Sequence, residues 1–169
     1  MRSVQQAVTM IVALLVGGCS LAVDPPRLAG PEAYFPGSWL EQLTLEGEAG
    51  ESARALFAEG LLAFRQDKSI LAVDKFTAAE SECLTRHSQT RCRLAIALVQ
   101  IDSSRCSEAV EVLDSVIGQT PDDWQPVFHK WQALRELGRH DEAKTVRSTG
   151  KKLNPEMFSQ EWGFKKGMI

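Results

Sequence analysis

The stretch LRELGRHDEAK at 134–144 decides the reading of this chain. It is followed by LNP at 153–155. Apolar residues recur at helical spacing on both sides of Gly138-Arg139-His140, so two helices meet at a short turn. The same layout occurs twice upstream. Ala72, Ala109 and Ala143 hold equivalent places, with Phe76, Leu113 and Arg147 four residues later and Ala79, Val116 and Gly150 seven later. Gly60, Ala97 and Trp131 stand twelve residues before those alanines. Pro121 and Pro155 stand twelve after the second and third. Six helices follow, at 52–65, 69–82, 90–101, 104–117, 123–137 and 140–152. Asp67-Lys68-Ser69, Asp102-Ser103-Ser104 and Gly138-Arg139-His140 divide the pairs, and Gly118 and Gly138 suit helix exits.

The pattern resembles the tetratricopeptide repeat (TPR), a helix-turn-helix unit of about 34 residues with small residues where its helices cross. The fold class expected is all-α: a TPR-like array of three units over 51–169, with a short capping helix. Departures are plain. The first unit is longer than the repeat by three residues, Lys130 stands where a packed leucine is usual, and Arg147 and Gly150 replace packing residues. A polar final helix suits a terminal repeat, on which nothing stacks. Asn154-Pro155-Glu156 then starts a closing helix in which Met157, Phe158 and Trp162 cover the end.

The resemblance implies a concave surface lined by the first helix of each unit, which in this family binds peptides or helices. Mapped here, the partner-binding residues are Phe57, Leu61 and Phe64, then Leu94, Leu98 and Ile101, then Phe128 and Gln132. Arg54, Arg65, Arg91 and Arg135 form the rim. An apolar floor with arginine edges suits an amphipathic segment carrying a carboxylate. Two other readings stand beside it. Tyr34, Phe35, Trp39, Leu40 and Leu43 precede the array and are candidates to fill the groove from within. The apolar stripe is also compatible with plain core.

Upstream, Arg2, an apolar stretch of about ten residues at 7–16 and the closing Val16-Gly17-Gly18-Cys19 have the layout of a secretory signal. The stretch is shorter than the roughly twenty residues a spanning helix needs. Its end resembles the lipobox of bacterial lipoproteins. That implies cleavage of residues 1–18, lipidation of Cys19 and a membrane anchor, with Ser20 pointing to the outer membrane facing the periplasm. Residues 19–50 read as a tether, since 20–37 carries four of the seven prolines. At roughly 3 Å per residue, the semi-extended stretch 20–37 holds the body on the order of 50 Å from the lipid. Ser38-Trp39-Leu40-Glu41 is a capping-box pattern for a short helix through Leu45.

Acidic side chains outnumber basic ones by 22 to 19. Nothing in that balance favours nucleic acid or an anionic surface. Of the four cysteines, Cys83 and Cys92 are the disulfide candidate across a short loop, leaving Cys106 free. The alternative for Cys83, His87 and Cys92 is a metal site with a recruited fourth ligand. His129 and His140 read as solvated, and Asp122-Asp123 reads as a helix N-cap. No phosphate loop, nucleophile elbow or zinc-protease motif is present. The expectation is a non-catalytic protein without a cofactor or small-molecule substrate. It binds a protein partner in the envelope, as a scaffold or pilotin-like factor for pilus, secretion or outer-membrane assembly. The alternative is a regulator of a peptidoglycan or other envelope enzyme.

Overall fold

In the computed structural model, the described residues are 36–45 and 49–159. Cys19 and the stretches read as signal segment and as tether up to Phe35, with Tyr34 and Trp162, lie outside them. Among the described residues there are eight helices and no strand. They are α1 (Pro36–Gln42), α2 (Glu51–Arg65), α3 (Ser69–Glu82), α4 (Arg86–Asp102), α5 (Cys106–Gln119), α6 (Trp124–Glu136), α7 (His140–Leu153) and α8 (Pro155–Ser159). The fold is all-α.

One turn, used three times, joins α2 to α3, α4 to α5 and α6 to α7. Its middle residue is left-handed each time: Asp67 at φ 57°, Ser104 at 61° and Gly138 at 72°. The N–H of the next residue reaches back to the helix it leaves, from Lys68 to Ala63 (3.0 Å), Arg105 to Gln100 (2.7 Å) and Arg139 to Leu134 (2.9 Å). A shorter bond lies inside each: Asp67 to Phe64, Ser104 to Ile101 and Gly138 to Arg135. This is the paired hydrogen-bond pattern of a Schellman stop, which satisfies carbonyls that a helix end leaves open.

Each helix packs on its neighbours in the chain. The exceptions among the principal contacts are α1, which crosses back onto α4, and a light contact of α4 with α6. The crossings use small residues. Ala72, Ala97, Ala109 and Ala143 are buried, and Gly60 meets Phe76 so closely that a Cβ there would lie 2.6 Å from the ring. Of the twelve residues at the four repeated inner positions, Arg147 is the one not buried.

The larger boundary differences from expectation fall in α4, α5 and α1. α4 begins at Arg86 rather than 90, because the Thr85 hydroxyl accepts from the Ser88 N–H (3.2 Å) and starts the helix early. α5 begins at Cys106 and runs through Gly118 to Gln119, so Gly118 is not its exit. α1 begins at Pro36, where the absent N–H costs nothing, so Ser38 sits inside it rather than capping it. It also stops at Gln42, short of Leu45. At the far end, α8 seals the stack: Phe158 is fully buried on Gly150, with its ring 5.6 Å from Phe128.

Candidate partner-binding face

The stretch read as the end of the tether is the segment that covers the expected groove. From 36 to 45 the chain alternates helix-spaced apolar and polar groups, and Leu40, Leu43 and Leu45 are buried. Gly37 lies against Phe64 at the end of α2; a Cβ there would sit 3.3 Å from its ring. Glu41 pairs with Arg65 at 3.3 Å, both about half exposed. Past the helix, the Thr44 carbonyl accepts from the Arg91 Nε at 3.0 Å. Trp39 reaches α6, where it meets Trp124 and His129 edge-on at 5.7 and 5.4 Å. The seat is therefore built from α2, α4 and α6, and its occupant is an amphipathic turn carrying a carboxylate.

The residues assigned to an open groove divide accordingly. Arg54 is exposed, and Leu61 and Phe64 are half-buried. Arg65 pairs with Glu41 of α1, and Arg91 holds the Thr44 carbonyl just past it. Phe57 is a correction: it is buried against Phe76 with ring centroids 4.8 Å apart, inside the first pair. Leu94, Leu98 and Ile101 are corrections too. They belong to a run in which every residue from 94 to 101 is buried, because α4 has α1, α3 and α5 around it. Phe128 is fully buried among Trp124, Trp131 and Phe158. Gln132 is buried and bonded to His129, and Arg135 stacks over the Trp131 ring at 5.1 Å. Periodicity identified the stripe, but an all-round buried helix has no solvent face for a stripe to mark.

His129 is the residue that sequence reasoning placed wrongly. It is 1% exposed, with Nδ1 2.9 Å from the Gln132 Oε1, and burial lowers its pKa to about 4 despite that hydrogen bond. No local signal marks it, since its cover comes from Trp39, ninety residues away. Lys130, in place of a packed leucine, is largely covered and pairs with Asp114 of α5. Asp123 caps α6, its carboxylate accepting from the Gln125 N–H at 2.9 Å.

The thiols of Cys83 and Cys92 stand together, sulfurs 3.7 Å apart, both unbridged and buried; Cys106 is buried apart from them. Among the described residues no three His, Cys, Asp or Glu side chains converge as a metal ion requires, so His87 does not complete a site with that pair. No described helix is long and apolar enough to cross a membrane. No protein-family model matches the chain, and no curated protein matches it in sequence.

Proposed function

We propose that this chain is a non-catalytic, lipid-anchored protein of the bacterial envelope, in which three TPR-like helix pairs bind a protein partner. Its role is that of a scaffold or pilotin-like factor for pilus, secretion or outer-membrane assembly. Anchoring through Cys19 confines the body to a thin layer at the outer membrane, facing the periplasm. That raises its effective concentration for clients in the same layer.

The observation that carries the reading is the way α1 sits. A short amphipathic helix lies across the first helices of the three pairs, apolar side inward, with a carboxylate on Arg65 and a trailing carbonyl on Arg91. A client helix with a tryptophan, leucines and an acidic residue meets the same groups. Exchange requires the client's apolar side chains to replace the buried Leu40, Leu43 and Leu45, since the half-exposed Glu41–Arg65 pair contributes only about 1 kcal/mol or less. The client then takes the seat and α1 leaves it.

Photo-crosslinking in living cells tests this, with the probe at Leu61 and at Arg54 on α2, in the native chain and in Trp39→Ala. The expected result is one dominant envelope protein, captured in higher yield when Trp39 no longer holds α1. Capture of residues 36–45 alone in both backgrounds refutes the exchange. Cys19→Ala tests the anchor separately: the protein should leave the membrane fraction, and continued membrane association counts against lipidation.

A further inference from the structure

We infer that Cys83 and Cys92 are a redox-closable pair with a fixed order of reaction. Cys83 receives a mixed disulfide from a glutathione-type or protein disulfide donor. Cys92 then resolves it into a bridge joining the end of α3 to α4, and Cys106 stays a thiol.

The sulfurs are already in contact at 3.7 Å. Bond formation brings them closer by about 1.7 Å, the gap between that contact and a disulfide. Cys83 can supply the movement, because it lies at the α3 C-cap with extended backbone (φ −71°, ψ 131°) rather than inside a helix. Two residues, Leu84 and Thr85, link it to α4. Cys106 is excluded by distance: it begins α5, beyond the far end of α4. Ten residues of helix from Cys92 to Asp102 span about 15 Å.

The order follows from what must move to expose each thiol. Cys83 is next to Leu84, which is 76% exposed, and its carbonyl is held by the Gln89 amide at 3.4 Å. Opening of this link bares Cys83 and leaves α4 in place. Cys92 is fully buried on α4 itself, so baring it means removing that helix from the stack. Burial pushes both thiols up, and Cys92 is raised further by the charge of Cys83 once that thiol ionises. Closure in the folded protein is accordingly slow at neutral pH and faster as pH rises.

The chemistry balances with one donor disulfide. The Cys83 thiolate attacks a donor sulfur, the donor bond breaks, and one donor thiolate leaves and takes up the proton that Cys83 lost. Cys92 then gives up its proton and attacks the Cys83 sulfur. The mixed disulfide breaks, and the second donor thiol leaves with that proton. Two protein thiols are oxidised and one donor disulfide is reduced to two thiols.

Only the location of the donor rests on the envelope reading. The test uses the purified full chain with oxidised glutathione, followed by alkylation and intact mass. One alkylatable body thiol at Cys106 and the loss of two hydrogens are expected. Cys92→Ala should accumulate a glutathione adduct at Cys83, and Cys83→Ala should yield none at Cys92 under native conditions. Cys83 and Cys92 both remaining alkylatable in the native sequence overturns the pair, and an equally fast adduct at Cys92 overturns the order. Trapping the thiol state in cells reads the compartment independently. A bridge that closes with glutathione within the lifetime of the protein at neutral pH but is open in cells leaves the pair standing and counts against the envelope reading.

Discussion

α4 buries eight residues in succession, Leu94 to Ile101, whereas α7 buries only Ala143 and Gly150 among its fourteen. Both helices enter or leave their pair by the same turn, so local geometry does not explain the difference. Position in the stack does. α4 has α3 and α5 beside it and α1 across it, so it is covered on every side, and Gln100, the polar residue of the run, donates to Glu108 of α5. α7 touches α6 on one side, and its other requirement is a small residue under Phe158 of α8. A helix with neighbours all round is apolar except where a buried polar group finds a partner, and an end helix needs a narrow stripe.

The comparison is broken most forcefully at Leu98, which is 1% exposed. Leu98→Glu buries an unpaired carboxylate and should abolish cooperative folding by circular dichroism. Leu98→Ala should cost about 2–5 kcal/mol in denaturant unfolding. A folded Leu98→Glu protein that had lost only partner capture would restore this residue to an open groove. The same charge placed at the exposed Lys151 of α7 should leave unfolding nearly unchanged.

The third pair has its own sensitive point, and acid finds it. His129 titrates near 6.5 when unfolded and at about 4 when folded, because burial against Trp39 and Phe128 disfavours its charged form. Its folded pKa is depressed, so the full contribution holds above about pH 6.5 and is lost as pH falls from there to about 4. The loss is on the order of 3 kcal/mol. His129→Gln should flatten this part of the pH profile of urea unfolding. An unchanged slope in the variant would assign the acid loss to carboxylates.

The helical region was legible because its signals are local. Periodicity gave six helices with ends displaced by a few residues, and the buried Ala72, Ala109 and Ala143 fell where spacing put them. The start of α4 was missed since Arg86-His87-Ser88-Gln89 is polar, and only the Thr85 cap shows that it is helical. The face was legible in part. Arg65 and Arg91 were read as rim residues, but what they grip, Glu41 and the Thr44 carbonyl, depends on a segment returning from 24 and 47 residues away. His129 was opaque for the same reason. Sequence spacing reports which residues share a helix face; it does not report which distant segment arrives to cover them.

Gly150 gives a smaller effect and tests the sealed end. A Cβ at this position would fall within the Phe158 ring, so Gly150→Val must expel Phe158 or shift α8. Overpacking of this kind costs about 1–3 kcal/mol. Phe158→Ala in the same background should then add little, since the contact is already lost. Full additivity of the two changes would mean that α8 does not seal the stack through this contact.

The smallest effects compare the turns themselves. Ser104 and Gly138 hold the same left-handed place, at φ 61° and 72°, but only one of them is glycine. A side chain in that region costs about 1–2 kcal/mol. Glycine returns about 0.5–1 kcal/mol of that through its greater freedom when unfolded. Ser104→Gly should therefore stabilise the second pair by about 1 kcal/mol or less, and Gly138→Ser should destabilise the third by a similar amount. Nothing else intervenes at either site: Ser104 is exposed, and a Cβ at Gly138 meets open space. Opposite signs in paired thermal melts would establish the two turns as energetically equivalent. They would also confine the difference between the pairs to what packs around α4 and α7. Equal signs would place part of that difference in the turns.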